Sequence, residues 1–163
     1  MLVAMQSPDQ STQNGVVIAR ELPSLTIEGE KWDGLAAEYN RPTPGVRMTD
    51  AHWERPRKYA YLEHAERNAI FACARGGVPT EGSVMCAVWA ACADCARAIV
   101  MAGVSELHTI ATKDDAHWNE STEWGNEIME AGRVEVVRWS VDDLNLSGLP
   151  VLLRNGEAWV PGC

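Results

Sequence analysis

The sequence predicts an α/β protein, a three-layer α/β/α sandwich around a mixed five-stranded sheet, with residues 1–163 forming one domain. Three observations predict it. The chain has 163 residues, 46% hydrophobic and 23% charged, which is a globular composition long enough to bury a core without disulfide staples. A β-branched run near residue 15 is followed by a second short strand, as in an antiparallel hairpin. Residues 83–111 then read strand, helix, strand, the signature of a right-handed βαβ unit with parallel strands.

Each element can be justified in order. Gly15 to Arg20 (GVVIAR) is the first strand, and Asp33 to Tyr39 is the second, after an irregular connection through Pro23, Gly29 and Glu30. Arg41 to Arg57 contains three prolines, one glycine and no periodicity, so it reads as a long surface loop, a candidate substrate lid or regulatory arm. From Glu63, EHAERNAIFACARGG spaces apolar residues among good helix formers and stops at Gly76 and Gly77. Ser83 to Trp89 (SVMCAVW) is almost wholly apolar, as a strand covered on both faces would be. Cys92 to Ala102 is a helix closed by Gly103, and Glu106 to Ala111 the next strand. A helix near Glu120 to Ala131 leads to a fifth strand, Arg133 to Trp139, and the tail is expected to fold as a small hairpin about Asn155-Gly156.

Charge and cysteine usage narrow the function. Fourteen Lys and Arg against 23 Asp and Glu give a net charge of -9, a field that repels polyanions, so extended nucleic acid is a disfavoured partner. The opening MLVAMQSPDQ has no basic flank and no apolar run approaches membrane-spanning length, so the expected compartment is cytoplasmic and no membrane partner is expected. In a reducing setting, a close cysteine pair points to metal or redox chemistry rather than a structural bridge.

Two short motifs carry that chemistry: His64-Ala65-Glu66 at the start of one helix and Cys92-Ala93-Asp94-Cys95 at the start of another. Each alone is weak. Together they offer three ligands, His64, Cys92 and Cys95, at two helix N-termini, a site for Zn²⁺ with one position left open, as a catalytic zinc requires. The partial positive charge of a helix N-terminus favours thiolates in the first turn. Glu66 follows His64 by two residues, about 200° round an ideal helix, so it suits a proton carrier better than a fourth ligand.

The pairing of H-x-E with C-x-x-C resembles the signature of zinc-dependent nucleobase deaminases, in which the Glu is the acid/base. Within that superfamily the chain is most similar to the deoxycytidylate (dCMP) deaminases. The blocks SPDQSTQNGVVIA, EYNRPTPG, KYAYLEHAERNAI and CADCARAIVMAGVSEL carry the resemblance. It implies a cytidine deaminase-like fold, one Zn²⁺ per chain held by His64, Cys92 and Cys95, and Glu66 as the catalytic proton shuttle. It implies that the backbone N–H of Ala65 meets the pyrimidine carbonyl and that Asn40 contacts the sugar of a small nucleotide substrate. It suggests a homo-oligomer and, in some members, regulation by nucleotides with Mg²⁺. Ala91 stands where the motif has proline, the leading helix is short or replaced, and the loop to His64 is shorter than in effector-regulated members.

The remaining polar residues take plainer readings. Cys73 and Cys86 are expected in the core, Cys163 as a terminal thiol, and His52, His108 and His117 as surface or locally hydrogen-bonded residues. His117 follows a βαβ strand, where ligands gather, and Trp118 is a candidate wall for the bound base. Most of the seven tryptophans are expected in the core or an interface. Arg41, Arg47, Arg55, Arg57 and Lys58 form a solvated loop face or, alternatively, grip a phosphate together with Ser11, Thr12 and Gln13. The leading expectation is hydrolytic deamination of dCMP to dUMP. The alternatives are a deaminase of another small nucleobase, nucleoside or modified nucleotide, a tRNA deaminase, and an inactive zinc-containing nucleotide-sensing module.

Overall fold

The computed structural model describes residues 1–22, 31–111, 119–144, 149 and 151–160. The β-branched run forms β1 (Gly15–Glu21), which pairs antiparallel with β2 (Trp32–Tyr39). Their register shifts once, between Ile18 and Ala19, and Leu35 and Ala36 both pack on the core there. The stretch expected as a long surface loop holds local order. It contains β3 (Arg41–Pro42), which pairs with β4 (Leu62–Glu63), and one helical turn, α1 (Asp50–Trp53). Thr49 and His52 close that turn with a reciprocal capping box. None of its residues is buried, so hydrophobic periodicity had nothing to report.

Helix α2 (Ala65–Gly76) ends where the glycines predict, with Gly77 in the left-handed region at φ 67°. Next come β5 (Val84–Ala87), α3 (Ala93–Met101), β6 (Glu106–Ile110), α4 (Asn119–Ala131) and β7 (Glu135–Trp139). The tail forms the expected hairpin, β8 (Leu152–Arg154) with β9 (Glu157–Trp159). Asn155 and Gly156 both take positive φ, 54° and 81°, as a type I′ turn demands.

The sheet is mixed and five-stranded, in the order β2-β1-β5-β6-β7, and is flanked by helices. Strands β5, β6 and β7 run parallel, and β1 is antiparallel to both its neighbours. The register aligns Ile18, Met85, Leu107 and Val136 on one face. There they meet Ala65, Ala69 and Cys73 of α2, Cys95, Ala96 and Ile99 of α3, and Met129 of α4. A smaller cluster of Ala4, Val88, Trp89, Ile110 and Leu152 seals the end of the sheet near the carboxyl ends of β5 and β6.

Two expectations need correction. The strand expected over 83–89 is limited to Val84–Ala87, and its alternation sends Met85 and Ala87 inward but leaves Cys86 exposed. Cys86 is therefore not a core residue, whereas Cys73 is, at 1% exposure. Of the tryptophans, Trp89 is buried, while Trp32, Trp124 and Trp139 are exposed.

Candidate metal and active site

The site forms where the two helices bearing the motifs begin. His64 is the N-cap residue of α2 and Cys92 that of α3, both with extended backbone, and neither spends its side chain on capping. That leaves the imidazole and the thiol directed at each other rather than at their own helices. His64 Nδ1 lies 3.5 Å from Cys92 Sγ and 3.4 Å from Cys95 Sγ, and the three donor atoms all lie within 4.8 Å of one another. Donors round one tetrahedral zinc, with bonds of about 2.3 Å to sulfur and 2.0–2.1 Å to nitrogen, are spaced at about 3.5 Å. Two thiols and an imidazole at this spacing fit a zinc ion, with His64, Cys92 and Cys95 as its holders.

The electrostatics agree with that donor chemistry. A hydrogen bond from the Cys95 side chain brings the Cys92 thiol down to about 4, outweighing its burial. Giving that bond holds Cys95 well above the usual thiol range, and burial pushes it further the same way. Burial opposes charge on His64, yet its hydrogen bond to Cys92 and the nearby Glu66 carboxylate raise it on balance. Glu66, 2% exposed, is raised by burial against the pull of His64. It is not part of the donor cluster.

How the chain starts α3 without the motif proline is visible in the packing. Ser121 of α4 accepts a hydrogen bond from the Ala93 backbone N–H, at 3.2 Å, satisfying one of the four unpaired donors of the helix start. Gly125 permits the approach: a Cβ there would sit 2.7 Å from the Ala91 carbonyl oxygen. Helix α4 thus braces the turn that carries Cys92.

Above the donors opens a cavity of about 420 Å³, at the carboxyl ends of β5 and β6, where α/β folds place ligands. His64, Glu66 and Cys92 line it, together with Asn14, Asn40 and Trp89. Ala65 is wholly buried as the first residue of α2. Asn40 reaches the cavity but is heavily engaged. Its Nδ2 donates to the Thr12 carbonyl (2.8 Å) and to Asp9 Oδ2 (3.3 Å), and its Oδ1 accepts from the Asn14 N–H (2.7 Å). Trp118, His117 and Cys163 lie outside the described residues.

The structure also shows what the sequence reading missed. Asn14 Nδ2 donates to Glu66 Oε2 at 3.3 Å, so the residue just before β1 holds the Glu66 carboxyl. Lys58, read as a loop cation, is buried and paired with Asp9 at 2.9 Å. Arg41 pairs instead with Glu38. Gln13 is used to bind the tail, accepting from the Leu153 N–H and donating its own N–H to the Leu153 carbonyl. The only signal for Asn14 was its place in the STQNG block beside the quoted Ser, Thr and Gln.

Fold and donor set define a zinc-binding catalytic domain of the kind that hydrolyses cyclic amidines. The family described as the cytidine and deoxycytidylate deaminase zinc-binding region matches residues 35–111, and over that stretch the chain resembles a zinc-binding deaminase domain. ComE operon protein 2 of Bacillus subtilis (strain 168) is 27% identical over 143 residues, covering 88% of this chain and 68% of that protein. The deoxycytidylate deaminase of Enterobacteria phage T4 is 35% identical over 82 residues, 50% of this chain and 40% of that protein. The crystal structure of the dCMP deaminase from cyanophage S-TIM5 superposes with a TM-score of 0.60 at 20% identity, covering 85% of this chain and 89% of that one. No helix among the described residues is long and apolar enough to cross a membrane.

Proposed function

We propose that the protein deaminates a cytosine nucleotide by hydrolysis, converting dCMP to dUMP and ammonia, with residues 1–163 acting as one catalytic domain. The observation that carries the reading is the buried Glu66 carboxyl beside a His64–Cys92–Cys95 cluster, with Glu66, His64 and Cys92 lining one cavity. Zinc held by those three residues would supply Lewis acidity, lowering the pKa of water so that a nucleophile exists at neutral pH.

The chain's own groups handle binding and protons. Glu66 takes a proton from the water that attacks C4, delivers it to N3, and then moves a proton to the departing amine. Burial suits it to this work, since a carboxyl raised toward neutrality both accepts and returns protons. Asn14 keeps one of its oxygens in place. The Ala65 N–H, at the start of α2 where backbone donors lack helical partners, meets the C2 carbonyl. Both N–H groups of Asn40 are committed, so it binds a sugar hydroxyl as acceptor, through the second lone pair of Oδ1. The likeness to the deoxycytidylate deaminase of phage T4 supports dCMP over a polymeric substrate, as does the net charge of -9. The reading includes a homo-oligomeric enzyme with one Zn²⁺ per chain; a Mg²⁺–nucleotide effector is not needed by its chemistry.

The test is ammonia release from zinc-loaded protein given dCMP, CMP, deoxycytidine, cytosine, guanine and adenosine, alongside Glu66→Ala. Turnover of dCMP that is lost in the variant is expected. Ammonia from none of the six would overturn the reading, and undiminished turnover in Glu66→Ala would overturn the role of Glu66. Sedimentation of the same sample measures the oligomer.

A further inference from the structure

We infer that Asn14 couples recognition of the substrate's sugar to proton transfer, so that the hydroxyl met by Asn40 acts on kcat as well as on binding; this rests on the deaminase reading, with Asn40 at the sugar and Glu66 as proton carrier. The first observation is that Asn14 and Asn40 are joined twice. The Asn14 backbone N–H donates to Asn40 Oδ1 at 2.7 Å, and the Asn40 backbone N–H donates to the Asn14 carbonyl at 3.2 Å. The two residues sit side by side where β1 begins and β2 ends, and both line the cavity.

The second observation is that each amide has its direction fixed. Asn14 Oδ1 accepts from the Gly15 N–H at 2.9 Å, so Nδ2 is the end turned to Glu66 Oε2. Reversing that amide would set oxygen against carboxylate and N–H against N–H. Asn40 Nδ2 faces the Thr12 carbonyl and Asp9 Oδ2, and the Asp9 carboxylate is itself held by Lys58 and the Ser11 N–H. Asn40 can therefore offer a ligand only the remaining lone pair of Oδ1, and the ligand must bring a donor. In dCMP the only free sugar hydroxyl is the 3′ one, because C2′ carries none and the 5′ oxygen carries the phosphate.

One bond in this chain has room to respond. The Asn14–Glu66 contact, at 3.3 Å, lies just beyond the usual span of about 2.7–3.2 Å for N–H···O, whereas the Asn14–Asn40 bond, at 2.7 Å, is already short. Long hydrogen bonds to a catalytic group tighten once substrate is in place. Asn14, Asn40 and Glu66 are all buried, so their bonds polarise one another. The backbone beside them has no slack, since a Cβ on Gly15 would lie 2.4 Å from the Ala4 nitrogen. A 3′-hydroxyl donating to Asn40 Oδ1 fixes the acceptor that also holds Asn14, and through Asn14 Nδ2 it fixes Glu66. Binding energy from a part of the substrate that does not react is thereby converted into rate.

The experiment uses the full-length, zinc-loaded protein and crosses two perturbations. One is the 3′-fluoro analogue of dCMP, close in size to the parent but unable to donate. The other is Asn14→Ala, which deletes the amide held to Glu66 and keeps the backbone N–H that fixes Asn40. Steady-state kinetics gives kcat and KM for the four combinations, and calorimetry gives binding of dUMP and its 3′-fluoro analogue. In wild type, loss of the hydroxyl should lower kcat roughly three- to tenfold, the range of one hydrogen bond. In Asn14→Ala, kcat for dCMP should fall by a similar factor and no longer distinguish the two substrates, while dUMP still binds more tightly than its fluoro analogue. Asn14→Asp keeps an acceptor for the Gly15 N–H and loses the donor to Glu66, so it should show the same loss of discrimination and covers a failure of the alanine variant to fold. A hydroxyl effect on kcat of equal size in wild type and variants, one confined to KM in wild type, or a binding preference for dUMP that is absent from wild type or from both variants would overturn the coupling. No turnover of dCMP by wild type would overturn the deaminase reading and the coupling with it, whereas independent losses in an active enzyme overturn the coupling alone.

Discussion

Replacing Lys58 with methionine isolates one buried charge. Lys58 and Asp9 side chains are each 4% exposed, and the ammonium contacts both carboxylate oxygens, at 2.9 and 3.1 Å, as well as the Ser11 hydroxyl. Methionine fills the space of the stem but leaves Asp9 with the Ser11 N–H and the Asn40 amide as its remaining donors. Removing one partner of a buried pair costs about 3–5 kcal/mol, because the other charge stays out of water uncompensated. For a domain of this size, that is a fall in Tm of roughly 10 °C. Urea and thermal unfolding of the zinc-loaded protein measure the loss. Adding Asp9→Asn to Lys58→Met should recover part of it, since no charge then remains buried. A loss below about 1 kcal/mol, the range of an exposed ion pair, would refute the reasoning and mean that water reaches Asp9 in solution.

Other outcomes follow from the same structure. Asn14→Ala should lower kcat by roughly three- to tenfold, the loss of about one hydrogen bond, while zinc content stays at wild-type level by metal analysis. Cys95→Ala should lose zinc on dialysis against a mild chelator and then melt at the same temperature as chelated wild type, as expected if binding stabilises the fold. Zinc affinity should rise with pH, because the metal needs Cys95 and His64 deprotonated and both hold their protons above their usual values; competition against a chromophoric chelator between pH 6 and 8 reads the slope. Gly125→Ala should cost about 1–3 kcal/mol in unfolding, because its Cβ meets the Ala91 carbonyl at 2.7 Å, and should also weaken zinc binding through Cys92.

Which parts were legible in the sequence follows from how local their causes are. Helix α2 shows itself through its alanines and the terminal glycines, and the metal donors through two motifs that each sit at a helix start. The hairpin turn was readable because Asn-Gly tolerates positive φ at both positions. Cys86 was misread because its apolar neighbours say nothing about whether a layer covers the second face of a strand. Lys58 was misread because its counter-charge, Asp9, lies 49 residues away, and Asn14 was overlooked because its partner Glu66 is 52 residues away. Pairings at such separations are fixed by topology and leave no periodic trace. This side of the cavity wall was missed for the same reason: Arg154 meets Trp89 only after the tail has folded back onto residues 11–13.

That folded-back tail gives the protein a built-in order of completion. All three metal donors have been synthesised by residue 95, whereas the wall facing them waits for residues 152–159. A nascent or prematurely terminated chain therefore holds its zinc donors while its cavity stands open at one side. The cavity is completed only when β8 and β9 emerge and clasp the first loop.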